Sequence, residues 1–412
     1  MSDDLGIFRN SAEEQVRPPA RPGGSRRARR RAREQRDQQR RHRRVVLIGA
    51  LVVLVLMVGA IGLGVRELIT GQQVPDYPGP GGAELVVQIE QGESLSAIGG
   101  TLFDRDVVAS VRAFTLAAEG DQRARAVQPG YYQLRKQMSG AGAVSALLDP
   151  ASRVGRLEIR GGEQLDDVRL PDGTVVPGLL TELSRASCAT IRAQRTCVPP
   201  EQLRAAMGQT DPAGLGVPNW VAEPMSRVEP ERRLEGLLVP GTYDVRPGSS
   251  GPQLLAQLTE TSVNRLLAGG LPDSAADTGY SPYEVLVIAS IIEREAITPD
   301  FGKVSRVIYN RLAEGMPLQM DSTINYPLDR QHVRTSAEDR GRPGPYNTYL
   351  NIGLPASPIG APSAAAVDAA ANPDPGPWRY FVKCQRDGTS CFTVTIEEHQ
   401  AAVADAVARG VF

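Results

Sequence analysis

Residues 45–65 (VVLIGALVVLVLMVGAIGLGV) contain no charged side chain, and no other feature limits the possible folds as much. As a helix, a run of this length spans the ~30 Å hydrocarbon core of a bilayer. Arg40, Arg41, Arg43 and Arg44 stand directly before it. The preference for positive charge on the inner side therefore puts the N-terminus in the cytoplasm and everything beyond residue 65 outside. A cleaved signal peptide fits less well, because the basic segment is long, the apolar run exceeds an ordinary signal core, and no A-x-A site follows. The expectation is an Arg-rich disordered cytoplasmic tail at 1–44, a single-pass membrane helix at 45–65, and a Pro/Gly linker at 66–84. The working body then lies on the extracytoplasmic side of the cell membrane.

Charge divides along the same boundary. The formal net charge of −1 is the sum of +8 from residues 1–44 and −9 from the rest. Taken alone, the arginines of the tail could serve nucleic acid; next to an apolar span they serve topology and contact with anionic lipid. No specific nucleic-acid partner is expected. Aromatic residues are only 5% of the chain, which argues against an RNA-stacking sheet or a broad aromatic sugar platform. His42, His332 and His399 are the only histidines, too few to favour a Ser-His-Asp hydrolase or a zinc centre. Neither metal nor cofactor is expected. The four cysteines fall into two close pairs, Cys188/Cys197 and Cys384/Cys391, and an oxidising exterior permits both to form disulfides. Cys384 and Cys391 flank QRDGTS between β-prone stretches, a pattern for a hairpin with a bridge across it.

The exterior reads as two α+β parts. In the first, at 85–150, an alternating strand (85–89) is followed by a Ser-capped helix, a second helix at 107–118 and a short strand at 130–134. This β-α-α-β unit resembles the LysM-type glycan-binding fold, and a generic small spacer is the competing reading. In the second, at 151–412, residues 156–160 read as a strand, and 162–165 as a turn into a helix. Residues 234–243 (LEGLLVPGTY) read as an apolar strand-like run ending in a turn.

The chemistry is expected where a helix starts at Ser281-Pro282-Tyr283-Glu284, a capping box with proline in the first turn. Val285, Leu286, Val287, Ile288, Ile291 and Ile292 cover nearly every side, so the helix should be central and buried. Its last turn carries Glu293 and Glu295, which point about 160° apart at helical spacing, so one cleft can use only one of them directly. A carboxyl at the end of such a helix should be desolvated and hold a proton near neutrality, as a general acid for glycosidic cleavage requires. Residues 301–312 form a second amphipathic pattern, with Asp300 as cap and Gly315 as stop. Beyond it, amide, hydroxyl and tyrosine groups sit among turn formers. That suits a polyhydroxylated ligand, and equally a set of Asx turns and caps.

Four ordered blocks then carry a specific resemblance: 234–243 (LEGLLVPGTY), 289–296 (ASIIEREA), 309–325 (YNRLAEGMPLQMDSTIN) and 346–362 (YNTYLNIGLPASPIGAP). In order and spacing they resemble the YceG-like family, the MltG-type endolytic murein transglycosylases, over roughly residues 85–410. The resemblance implies cleavage of the MurNAc-β-1,4-GlcNAc bond of nascent peptidoglycan strands without water, leaving a 1,6-anhydro-MurNAc end and terminating elongation. It implies a catalytic domain at 151–412 with core motifs at 234–243 and 281–400, and a central buried helix bearing the catalytic glutamate. It assigns that glutamate to Glu293 and places Asn310, Gln319, Asp321, Tyr346, Asn347 and Tyr349 along the glycan groove. Peptidoglycan synthases and division proteins are the protein partners such a role would bring. Ser322 stands where the family commonly has proline, and the segment around Arg160-Gly161-Gly162 lacks the family's usual Glu-Gly start. Two other readings stay open: a catalytically silent glycan-binding or divisome scaffold, and a muramidase-type hydrolase using Asp321 or Glu295 to hold water.

Overall fold

The structure, a computed structural model, describes residues 49–61, 74–328 and 335–411. The chain divides into two units, Met1–Gln73 and Val74–Phe412. Within the first unit, residues 49–61 form a helix (α1) whose Leu51, Leu54, Leu56 and Ile61 are each more than half exposed. Among the described residues no helix is long and apolar enough to cross a membrane. The outer parts of the expected 45–65 span lie outside the described residues, as do the Arg-rich tail, His42 and His332.

The second unit begins with strand β1 (Glu84–Ile89), helices α2 (Leu95–Asp104) and α3 (Val111–Glu119), strand β2 (Gly130–Arg135) and helix α4 (Gly140–Leu148). Serine begins each helix: Ser94, Ser110 and Ser139 accept a hydrogen bond from the backbone N–H three residues on, satisfying a donor the helix itself leaves unpaired. The β1 and β2 strands run antiparallel, with Leu85 opposite Leu134 and Val87 opposite Tyr132. Their inner residues close over Ile98, Leu102, Phe114 and Val144 in a small apolar core. The β-α-α-β order is as expected, with α4 and a short third strand, β3 (Arg153–Val154), added to it.

The remainder surrounds a larger core. Strand β4 (Arg156–Ile159) leads to the two-residue strands β5 (Val168–Arg169) and β6 (Val175–Val176), then helix α5 (Leu179–Ala186) and the hairpin β7 (Ala189–Ile191) and β8 (Gln194–Thr196). No helix follows residues 162–165, contrary to the sequence reading; the chain enters the β5–β6 hairpin instead. The Cys188–Cys197 disulfide closes the β7–β8 hairpin. This hairpin lies along β1, and Thr190 N donates to Gln133 Oε1 of the neighbouring β2 at 2.9 Å, which ties the smaller core to the larger. Helices α6 (Pro200–Gln209) and α7 (Asn219–Met225) precede strand β9 (Gly241–Asp244), which pairs with β4. Only the end of 234–243 is therefore strand. The rest is turn, because Gly236 adopts φ 70° and packs against Pro358 where no side chain would fit.

Helix α8 (Gly251–Ala268) leads to α9 (Pro282–Glu295), the centre of the core: every residue from Val285 to Ile292 is buried. It packs against α10 (Phe301–Ala313), the short α11 (Asp321–Asn325) and α13 (Ala364–Ala371); a further turn, α12 (Ala337–Gly341), lies between α11 and α13 in sequence. The chain ends in the hairpin β10 (Tyr380–Lys383) and β11 (Ser390–Thr393), closed by the Cys384–Cys391 disulfide, and in helix α14 (Ile396–Ala408). Asp300 precedes α10 without capping it by side chain; its Oδ2 accepts from Ser390 N at 2.7 Å instead and fixes β11.

Candidate active site

The Ser281/Glu284 capping box starts α9, and its unbroken apolar sequence buries the helix until the last turn. There the two acidic side chains part. Glu293 turns toward the backbone: its Oε2 accepts from Ser363 N at 3.0 Å, at the start of α13. Its Oε1 lies against Gly161, where a β-carbon would overlap it. Glu295 turns the other way. Its Oε1 accepts from Ser322 N at 3.2 Å at the start of α11, and it lines a cleft of about 820 Å³. Burial pushes the Glu295 carboxyl up from its ordinary value, against the hydrogen bonding from Ser322 and the pull of the Lys383 charge. The expectation that Glu293 is the acid of the groove is not met by this geometry. Its carboxylate is taken up by the start of α13, and it is not among the residues lining the cleft.

Asp321 stands in the cleft beside Ser322. Burial alone would raise its pKa, but Tyr349 Oη and Thr335 Oγ1 donate to its Oδ1 at 2.5 and 2.7 Å, and Arg340 approaches its Oδ2 at 3.4 Å. These partners win and hold the carboxyl below its ordinary range. The cleft thus contains one carboxyl pushed toward the protonated state and one pulled toward the ionised state, the pattern by which acid and base roles become distinguishable. Gln319 is in the same wall with φ 51°. A non-glycine residue held in the left-handed region costs of order 1 kcal/mol. Its backbone N–H donates to Thr348 O at 3.0 Å, and the Thr348 hydroxyl receives Met320 N at 3.1 Å. The strained corner therefore joins the Gln319-Met320-Asp321 block to the Tyr346–Tyr349 block.

Of the six residues expected along the groove, Gln319, Asp321 and Tyr349 line the cleft; Asn310, Tyr346 and Asn347 do not. Asn310 Nδ2 donates to the carbonyls of Gly376 and Trp378 at 3.1 and 2.8 Å and secures the approach to β10. Tyr346 is buried, with its hydroxyl against Ser357 Oγ at 2.8 Å and its ring 4.7 Å from that of Tyr326. Asn347 donates to the carbonyls of Arg340 and Arg342 and accepts from Tyr349 N and Leu350 N. It is a loop organiser that positions Tyr349. The reason is general: polar side chains in motif loops are as readily consumed by the backbone as by a ligand.

The cleft also has residues that the sequence reading did not single out. Arg311 is buried, donates to the carbonyls of Arg379 and Leu318 at 2.6 Å each, and sits over the Tyr380 ring. Tyr380, Lys383 and Arg386 come from the C-terminal hairpin. Their signal was the Cys384–Cys391 spacing, which marked the hairpin but not the direction it faces. Outside the cleft, Glu235 of the LEGLLVPGTY block is 3% exposed. Its Oε2 accepts from Leu165 N at 3.3 Å and Tyr326 Oη at 2.9 Å, and burial pushes it up to about 7. Among the described residues there is no group of three or more His, Cys, Asp or Glu that could hold a metal ion.

A sequence profile described as the YceG-like family matches residues 87–405. The chain belongs to that family. Among its relatives is the endolytic murein transglycosylase of Bacillus subtilis (strain 168), 27% identical over 318 residues, which cover 77% of this chain and 83% of that protein. The endolytic murein transglycosylase of Streptococcus pneumoniae serotype 2 is 31% identical over 193 residues, covering 42% of this chain and 32% of the relative. The crystal structure of a putative yceG-like protein from Listeria monocytogenes superposes with a TM-score of 0.48 at 24% identity, covering 77% of this chain and 98% of that one.

Proposed function

We propose that the protein is an endolytic peptidoglycan lytic transglycosylase, with Glu295 as its proton-transferring group. Membership of the YceG-like family and the names of the relatives support the class of reaction. The observation that carries the assignment is a carboxyl, Glu295, that burial pushes toward its protonated form and that lines a cleft large enough for sugar rings. Protonated Glu295 gives its proton to the oxygen of the MurNAc–GlcNAc bond as the C1–O4 bond breaks. The C6 hydroxyl of the same MurNAc then attacks C1, forming the 1,6-anhydro ring, and its proton returns to Glu295. The enzyme ends in its starting state and no water is consumed. Asp321, ionised and held by Tyr349, Thr335 and Arg340, stabilises positive charge developing at C1 and helps hold the sugar.

This division of labour differs from the two-carboxylate scheme of ordinary glycosidases, in which a second carboxylate attacks or activates water. The hydrogen bonds taken up by Asp321 make it a poor base for water, which disfavours the muramidase alternative. The β-α-α-β unit at 84–135 adds a LysM-like contact to the glycan, and the apolar run at 45–65 with its preceding arginines anchors the body outside the cell membrane. Mass analysis of the new strand ends tests the proposal. Anhydro ends one water lighter than the hydrolytic product are expected; ends carrying that water would establish a hydrolase, and unchanged strands would favour a scaffold.

A further inference from the structure

The wall of the cleft formed by the β10–β11 hairpin has more positive charge than a neutral sugar can use. Five cations line the cleft, Arg294, Arg311, Arg340, Lys383 and Arg386, against the two acids Glu295 and Asp321. Three of them are engaged. Arg294 donates to Gly162 O, Arg311 to the carbonyls of Arg379, Pro317 and Leu318, and Arg340 to Asp321 and Thr335. Lys383 and Arg386 are exposed, and among the described residues neither has a carboxylate within ion-pair distance; the one hydrogen bond of Arg386 is a 3.4 Å contact to Arg409 O.

The backbone that carries these two cations is held in place. They flank Cys384, whose bond to Cys391 closes the hairpin. Asp300 fixes Ser390 N from one side, and Arg409 donates to Cys384 O at 2.8 Å from the other. A stapled hairpin adds little backbone ordering to the cost of taking up a ligand, and Lys383, whose charge also reaches Glu295, forms no ion pair among the described residues. The backbone of a murein strand offers hydroxyls, ethers and acetamides. Its carboxylates lie off the ring axis, on the lactyl ether or, where a peptide stem is attached, along that stem.

Resting on the reading of the cleft as a murein-cleaving site, we propose that Lys383 and Arg386 form a carboxylate subsite that selects strands still carrying acidic peptide stems. Guanidinium and ammonium groups at a half-open rim pair with carboxylate through charge-assisted hydrogen bonds. The subsite thereby makes stem-bearing, uncrosslinked strands the preferred substrate over denuded glycan.

The test uses the full-length chain in detergent micelles and three forms of the same uncrosslinked strands: native stems, stems with carboxylates converted to amides, and denuded strands whose only acid is the lactyl group. Formation of anhydro ends is followed to give kcat and KM. The wild type should favour native stems over both other forms by about tenfold in kcat/KM, mostly through KM. The Lys383→Gln/Arg386→Gln double variant should bring that ratio close to one, while Lys383→Arg/Arg386→Lys keeps it. Equal wild-type rates on native and amidated stems, or a double variant that retains the preference, would overturn the subsite. Denuded strands matching native ones would assign the carboxylate to the lactyl group and overturn it as well. Absence of anhydro ends from every substrate would instead remove the parent reading of the cleft, and the subsite with it.

Discussion

Glu293 and Glu295 share a helix turn, a residue type and nearly the same sequence context, yet the structure gives them opposite surroundings. Glu293 accepts from the N–H of Ser363, the residue that caps α13, and presses against a glycine turn. Glu295 faces a cleft and is pushed toward its protonated form by burial. The first is a structural bolt between α9, α13 and the 161–162 turn; the second is available to a ligand. Chemistry at the end of a buried helix is thus decided by what packs on each side of its last turn, and the number of acids there says little about it.

The largest expected effect separates the two. Glu295→Gln, which keeps the shape and loses the proton, should lower kcat for anhydro-end formation by about 10²–10⁴-fold, whereas Glu293→Gln should stay within about tenfold because an amide oxygen still accepts from Ser363 N. Single-turnover assays on purified protein read both. If the losses were equal, the contrast between bolt and acid would collapse. Next in size is Tyr349→Phe, which removes the donor 2.5 Å from Asp321 and should cost about tenfold or more in kcat/KM.

Stability gives a second contrast, between the cleft acid and the fully buried Glu235. The pKa of Glu235 rises from its ordinary 4.5 to about 7 in the folded state, so the folded protein binds more protons than the unfolded chain between those values. Its stability should therefore fall as pH rises through that window, by about 3 kcal/mol for this group, and level off above it. Glu235→Gln should flatten the profile, which denaturant titrations at several pH values would measure; an unchanged slope would mean that another group sets it. Gly161→Ala is smaller still. The new methyl displaces the Glu293 carboxylate and leaves Ser363 N without its acceptor, a loss of about 1–3 kcal/mol read as a lowered Tm, with activity falling less than in Glu295→Gln.

Much of this architecture was legible in the sequence because its signals are local. The capping box at Ser281, the apolar repeat of α9 and the serine-led helices of the smaller core each act within a few residues. The Cys384–Cys391 spacing marked a hairpin for the same reason. What escaped depends on distant partners. Periodicity placed Glu293 and Glu295 about 160° apart, but only Ser363, Gly161 and Ser322, brought in from elsewhere in the chain, show which side is the cleft. Asn310, Tyr346 and Asn347 were expected along the groove because they match the family's motif positions; backbone carbonyls and Ser357 consume them. Residues 234–240 looked like strand because they are apolar, but the left-handed Gly236 turns them toward Pro358.

The most direct test of Glu295 as the proton carrier is the pH profile of kcat/KM for the wild type and Glu293→Gln side by side, with anhydro ends confirmed by mass. Activity needs the protonated acid, so both proteins should lose activity on the alkaline side with the same limb, set by a carboxyl above its ordinary range. An alkaline limb that shifts or vanishes in Glu293→Gln would contradict the account and return the acid role to Glu293.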